Sequence, residues 1–384
     1  MYPYKIVSFS SIFLYKKEEK MKTQILDKQS FQISEEDSKR ITSLRFLLIV
    51  FVVFIHANLT PDDALNYYHY DFIQPKWIEV FKNFICYTLG GAAVPLFFLF
   101  ASYLQFSKND SYPTLLRKRS KSLLLPYILW TVITVILYFI AQSIPQTAPY
   151  FQNPINIVRA WKGFDWIKIF TYHNDIYPLV YHFWFLRDLM ILIILSPILK
   201  YLCKKFAGGM LVFVSVFAIK GIPIFCVNTG ALFFYIAGYY FAAYKISFFK
   251  IADKMKIYEY ITLLALTIPF DLMFESKYNF GFIKTLISCL FFLKLSSSFI
   301  KHQNLYGKLK YLAGYSFFLY AVHTPFLGTS INKISQQIIP LHGILCLVQF
   351  LLASFLTIVF GTIFGILLNK ICSPAFRLLN GGRK

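Results

Sequence analysis

The chain has 384 residues, 57% of them hydrophobic and 20% aromatic, with only 15% charged, against about a quarter charged in soluble domains. Long stretches are apolar on every face, which rules against a soluble core and points to segments solvated by lipid. The net charge of +21 sits in short connections between those stretches, so it reads as topology and contact with anionic headgroups rather than as a nucleic-acid surface.

Six cysteines (Cys86, Cys203, Cys226, Cys289, Cys346 and Cys372) lie within or beside apolar runs, with no C-x-x-C pair and no histidine at ligand spacing. Neither a disulfide framework nor a metal site is indicated.

At the N-terminus, the apolar piece 6–14 is short and runs into Lys16, Lys17, Glu18 and Glu19 rather than a small-residue cleavage site, which argues against a secretory signal. Met21 offers an alternative start, and residues 1–40 read as a mixed-charge cytoplasmic tail.

Spanning helices need roughly 17 to 25 mostly apolar residues. Such runs fall at 41–58, 84–106, 122–143, 183–202, 209–227, 229–245, 257–274, 281–299, 311–330 and 345–371. An all-α polytopic membrane protein of about ten transmembrane helices is therefore expected. The run 209–227 is the least regular, interrupted by Lys220, Gly221 and Pro223.

Cytoplasmic loops are enriched in Lys and Arg, and the connections alternate accordingly. With the N-terminus inside, inner connections carry Lys108, Arg117 and Arg119, then Lys200, Lys204 and Lys205, then Lys245 to Lys256, then Lys301, Lys308 and Lys310. Outer connections hold sparser cations, such as Lys76, Lys82 and Arg159, diluted by Asp62, Asp63, Asp71, Glu79, Asp165 and Asp175. Both termini are thus expected in the cytoplasm, with a transmembrane domain at 41–372 and a basic tail at 373–384.

Two outer loops, 59–83 and 144–182, are long, and the second contains Trp161, Trp166, Tyr172, His173 and Tyr177. Long aromatic loops are functional more often than disordered. The rings fit either a sugar-binding surface or an aromatic belt at the membrane interface.

Ionisable residues inside the apolar runs carry the functional signal. Arg45 and His56 bracket ten apolar residues. At about 100° per residue they share a helix face, ~16 Å apart along the axis. That face cannot meet lipid, since burying such groups against hydrocarbon costs several kcal/mol. His56 falls roughly 22 Å from the cytoplasmic end of its helix and His323 about 18 Å from the end of its own, so the two reach similar depth. Ser316, Tyr320 and His323 share one face at helical spacing.

Tyr181 to Asp188 reads Y-H-F-W-F-L-R-D and puts His182, Trp184, Arg187 and Asp188 at the outer edge. Arg187 with Asp188 fits either a binding site or an interfacial ion pair. Near the cytoplasm, Arg117, Lys118, Arg119 and Lys121 could hold phosphates with Arg45, or simply mark the inner side. A histidine in such a cavity suits general-base work on a hydroxyl.

These stretches resemble the acyltransferase-3 family of bacterial integral membrane acyltransferases, which O-acylate surface glycans. The resemblance covers about 41–372. It rests on R-x10-H at Arg45 and His56, the V-P-L-F-F-L-F-A-S-Y run from Val94 to Tyr103, the basic run into Leu125-Pro126-Tyr127, H-F-W-F-L-R-D from His182, and S-F-F-L-Y-A-V-H-T-P from Ser316. It implies an acyl-CoA donor entering from the cytoplasm and a catalytic role for Arg45 and His56. The O-antigen branch commonly carries W-S-L with glutamate three residues after the leucine. Here Trp184-Phe185-Leu186 is followed by Arg187 and Asp188, so the acceptor and the role of Asp188 stay open.

The expectation is an O-acetyltransferase of the bacterial inner membrane, moving an acetyl group from acetyl-CoA to a hydroxyl of a glycan or glycolipid. His56 is the expected general base, and Arg45, Arg117, Lys118 and Arg119 the expected CoA-binding cations. His182, Trp184, Arg187, Asp188, Tyr320 and His323 are expected on the acceptor side, with membrane lipids as surroundings and neither metal nor nucleic acid involved. A glycan or lipid transporter is the alternative. No internal repeat in hydropathy, usual in transporters, is visible between the two halves.

Overall fold

The computed structural model describes residues 32–59, 72–108, 110–151, 153–173, 177–222, 224, 227–273 and 281–383. The alternative start at Met21, residues 1–31 of the expected tail, residues 60–71 of the first outer loop, Cys226 and Lys384 lie outside the described residues.

The fold is all-α. Its helices are α1 (Glu35–Ala57), α2 (Lys76–Phe106), α3 (Tyr112–Ser143), α4 (Trp184–Ile194), α5 (Ser196–Phe206), α6 (Gly209–Lys220) and α7 (Thr229–Ala243). There follow α8 (Ile257–Met273), α9 (Gly281–Lys301), α10 (Gln303–Ala313), α11 (Ser316–Val322), α12 (Gly328–Ile338), α13 (Leu345–Ile371) and α14 (Ser373–Leu379). Strand-like pairing among the described residues is confined to the isolated bridges Ile73 to His342 and Ile224 to Val227.

Among the described residues, α1, α2, α3, α9 and α13 are long and apolar enough to cross a bilayer, and α4 with α5 makes a sixth candidate bent by 66°. The bend falls where Pro197 opens α5, since proline cannot continue the hydrogen-bond ladder of the helix before it. The shorter apolar stretches are α6, α7 and Ile257–Pro269 of α8.

The run expected as one helix at 311–330 is instead broken. It divides into the end of α10, α11, a π-helical turn at His323–Leu327 and the start of α12. Thr324 has extended backbone, φ −144° and ψ 156°, because the Pro325 ring disfavours the helical region for the residue before it. Hydropathy averages over this break, whose consequence is that His323 stands at a helix end.

α1 is the central helix and packs against α2, α9, α10, α11, α12 and α13. Ser34 caps it, its Oγ accepting from the Asp37 backbone N–H at 3.0 Å, and the acidic first turn complements the helix dipole. Arg40 is buried and fully engaged. It donates to both Asp253 carboxylate oxygens at 2.6 and 3.0 Å, to Ser296 Oγ at 2.9 Å and to the Leu293 carbonyl at 2.7 Å. These bonds moor the N-terminal end of α1 to α9 and to Asp253. Next to α1, α2 and α7 lie close together, because a Cβ on Gly238 would come within 2.6 Å of the Leu99 carbonyl oxygen.

Candidate active site

Three histidines from three helical segments converge. His56 near the end of α1, His182 in the turn before α4 and His323 just after α11 have ring centroids 5.2 Å (His56 to His323), 6.2 Å (His56 to His182) and 4.8 Å (His182 to His323) apart. His323 Nδ1 lies 2.6 Å from the Tyr320 carbonyl oxygen. A carbonyl only accepts, so Nδ1 carries the proton and Nε2 of the neutral ring is the basic nitrogen. That Nε2 is buried without a hydrogen-bond partner among the described residues, as are both ring nitrogens of His182. A void of about 10 Å³ lies against both His56 and His323, room for about one water. Among the described residues no three His, Cys, Asp or Glu side chains meet at metal-binding geometry.

On the outer side, the Tyr181 hydroxyl lies 2.9 Å from His56 Nδ1, and Thr324 Oγ1 donates to the same hydroxyl at 3.3 Å. The Tyr181 oxygen can accept from both Thr324 Oγ1 and a protonated His56 Nδ1, an arrangement that leaves Nε2 of His56 as the basic nitrogen. The polar edge of His56 therefore faces the exposed Tyr181.

Below the histidines lies a cavity of about 400 Å³. Arg45, Ile49 and Val52 of α1 line it at spacings of four and three residues, and His56 continues the same face toward the small void. Phe97 and Ala101 of α2, Leu186 of α4 and Tyr320 of α11 form the apolar upper walls. Tyr320 closes the top: its hydroxyl donates to the His182 carbonyl at 2.6 Å, and its ring lies 5.0 Å from that of His182. The cavity thus ends directly beneath the histidine cluster.

The lower end is cationic. Arg45, Arg119, Lys310 and Arg383 line it, and no Asp or Glu is among its lining residues. Unlike Arg40, neither Arg45 nor Arg119 has a hydrogen bond or ion pair with any described residue. Burial, with Arg45 and Arg119 nearby, pulls the Arg383 guanidinium below its ordinary pKa. An arginine stays charged at neutral pH, so this grouping is a standing electrostatic cost that a bound anion would relieve. The site is a cationic mouth, an apolar shaft and, beyond Tyr320, a cluster of imidazoles.

An acyltransferase-domain family model matches residues 38–369. The chain belongs to the acyltransferase-3 family. As a member it is a multi-pass membrane protein whose matched region contains both Arg45 and His56. The succinoglycan biosynthesis protein ExoH of Rhizobium meliloti (strain 1021) is 26% identical to it over 222 residues, which cover 56% of this chain and 57% of that protein. The match thus spans less than two thirds of that relative. No solved structure matches the chain.

The structure sorts the residues expected at this acyltransferase-3 site. It brings together His56, His182, Tyr320 and His323, and it puts Arg45 with Arg119 in the cavity. Arg117 and Lys118 are exposed and do not line it, and Lys118 pairs with Asp110 at 2.6 Å. They lie on the helix face turned away, since the run reads around α3 rather than along one side.

Arg187 and Asp188 are buried and also stand apart from the cavity. Arg187 Nε and Nη2 donate to Asp188 Oδ1 at 3.0 and 2.8 Å, and Nη1 donates to the Thr171 carbonyl at 2.8 Å. Asp188 Oδ2 accepts from the Asn228 backbone N–H at 3.2 Å. The pair ties the outer loop to α4 and to the start of α7. Trp184 packs against the core. In the outer loop Trp161 is buried with Val158, Ile169 and Leu179, while Trp166, Tyr172 and Tyr177 are exposed.

Four contributors escape the sequence reading. Tyr181 and Thr324 adjoin His182 and His323, so adjacency is their signal. Lys310 and Arg383 carry no local signal, because their placement depends on how α10 and α14 pack.

Proposed function

We propose that this protein is an O-acyltransferase of the bacterial inner membrane, with both termini in the cytoplasm, moving an acetyl group from acetyl-CoA to a hydroxyl of a cell-surface or exported glycan. The observation that carries the proposal is the cavity that runs from an unneutralised cationic mouth up to Tyr320, whose hydroxyl and ring lie against His182 of the histidine cluster. Guanidinium groups match phosphate oxygens bidentately, so the nucleotide end of CoA belongs among Arg45, Arg119, Lys310 and Arg383. The thioester then reaches up the apolar shaft toward Tyr320.

His56 acts as general base. It takes the proton of the acceptor hydroxyl, that oxygen attacks the thioester carbonyl, the C–S bond breaks and the CoA sulfur leaves to be protonated. Tyr181, itself bonded by Thr324, holds His56 through Nδ1, so that Nε2 takes the proton, and His182 and His323 flank the reacting atoms. Arg45 acts through donor binding, since ~16 Å of helix separates it from His56. Glycan as acceptor is supported by family membership and by the biosynthetic name of the rhizobial relative.

The test is thioester consumption by purified protein in detergent, with acetyl-CoA and a lipid-linked or soluble glycan. Acceptor-dependent release of free CoA is the expected result. A transporter would consume none, and that result would overturn the proposal.

A further inference from the structure

Arg383 lies beyond the residues matched by the family model, yet its side chain lines the cationic mouth. How it gets there is built into the fold. After α14, Asn380 is fully buried, its Nδ2 donating to the Gly314 carbonyl at 2.8 Å and to the Arg383 carbonyl at 3.0 Å. Trp130 Nε1 of α3 holds the preceding Leu379 carbonyl at 3.0 Å.

Gly381 and Gly382 then take φ of 66° and 73°, the left-handed region that glycine enters without penalty. A Cβ on Gly381 would stand 2.4 Å from the Ser122 carbonyl oxygen, so the turn is pressed onto α3. It turns the chain back into the bundle.

The guanidinium lies over the Phe317 ring at 4.2 Å. Its Nη1 donates to the Asn380 carbonyl at 2.9 Å and the Ser122 carbonyl at 3.3 Å. Both acceptors are neutral, and Nε and Nη2 have no acceptor among the described residues. A folded turn that delivers an arginine beside Arg45 and Arg119, holds it by one nitrogen and leaves its charge unmatched is arranged for an anionic ligand.

We infer that Arg383 is a phosphate-binding residue of the donor cavity, brought there by the Asn380–Gly382 turn and acting with Arg45 and Arg119. The inference rests on the acyl-CoA reading for the identity of the donor, while the phosphate chemistry stands on the geometry alone. An exposed tail arginine would add little. A buried charge-assisted contact adds far more.

The test is calorimetric binding of desulfo-CoA and of inorganic triphosphate to the purified full chain, comparing wild type with Arg383→Met, Arg383→Lys and Gly381→Ala. Arg383→Met is expected to weaken both ligands by about ten- to hundredfold. Its ligand-free melting temperature should stay level or rise, since an unmatched buried charge has been removed. Arg383→Lys should recover part of the affinity, and Gly381→Ala, which keeps the charge but displaces the turn, should lose about as much as Arg383→Met. If Arg383→Met does not fold, the Gly381→Ala result decides.

Affinity within twofold of wild type in Arg383→Met or Gly381→Ala would overturn the inference. Wild type that binds triphosphate but not desulfo-CoA would overturn the acyl-CoA reading and leave Arg383 to be judged on triphosphate. Wild type that binds neither would overturn both.

Discussion

The Tyr181 hydroxyl and His56 Nδ1 stand 2.9 Å apart, at the point where the buried face of α1 meets the outer surface. Thr324 Oγ1 reaches the same hydroxyl at 3.3 Å, so the proposed base is oriented through a chain of two neutral hydroxyls. Removing the hydroxyl tests that orientation. Tyr181→Phe keeps the ring and loses a hydrogen bond of about 0.5 to 1.5 kcal/mol, so turnover should fall by up to about tenfold with the KM for acetyl-CoA unchanged. A rate equal to wild type would remove Tyr181 from the site.

The cations divide by position. Arg45→Gln and Arg119→Gln each remove an unneutralised guanidinium from the cavity mouth, and each should raise the KM for acetyl-CoA by about ten- to hundredfold. Arg117→Gln and Lys118→Gln alter exposed residues and should leave KM within about twofold. Steady-state kinetics on the four variants checks the division. Equal effects at all four would mean that the basic run acts as a diffuse field.

Asp188 and Arg187 predict a stability effect rather than a kinetic one. Asp188→Ala leaves the buried Arg187 guanidinium without its carboxylate, which costs about 3 to 5 kcal/mol for a buried pair. A large drop in the unfolding midpoint in detergent is therefore expected, with much of it recovered when Arg187→Met is added. Unchanged stability together with lost turnover would return the pair to the acceptor site.

A pH effect is expected in the outer loop. Burial, against a smaller opposing pull from Asp165, lowers the pKa of His173 from 6.5, where it packs on Trp161 at a centroid distance of 5.1 Å. The unfolded loop then binds the proton more readily than the folded one. The stabilisation is fully present above about 6.5 and is lost as pH falls below that value. Amide protection in 153–173, taken against the base-catalysed intrinsic exchange rate at each pH, should fall between pH 7 and pH 5, and His173→Phe should abolish the change.

Much of the site was legible because one helix carries it. The spacing of Arg45 and His56 fixes a common face from helix geometry alone, and Ile49 and Val52 line the cavity between them. The similar depths read for His56 and His323 anticipated their meeting, although His323 stands past the end of α11 rather than within one continuous helix. What could not be read depends on tertiary turns. Pro325 breaks a run that hydropathy averages into one span, and the bond between Arg40 and Asp253 joins distant parts of the chain. Arg383 reaches the cavity only because Gly381 and Gly382 reverse the backbone. The sequence reading gave Arg187 and Asp188 an open choice between site and brace, since a charged pair at a helix end looks the same in either role. Their bonds to Thr171 and Asn228, away from the cavity lining, favour the brace.

The central claim is that His56 removes the proton from the acceptor hydroxyl while the donor sits in the cavity below. The most direct measurement is transfer of labelled acetyl from acetyl-CoA to glycan by reconstituted wild type and His56→Ala, with desulfo-CoA binding measured on the same preparations. Transfer should fall by at least about 10² to 10⁴, the worth of a general base, while binding of desulfo-CoA stays within about twofold. Transfer by His56→Ala at the wild-type rate would contradict the account.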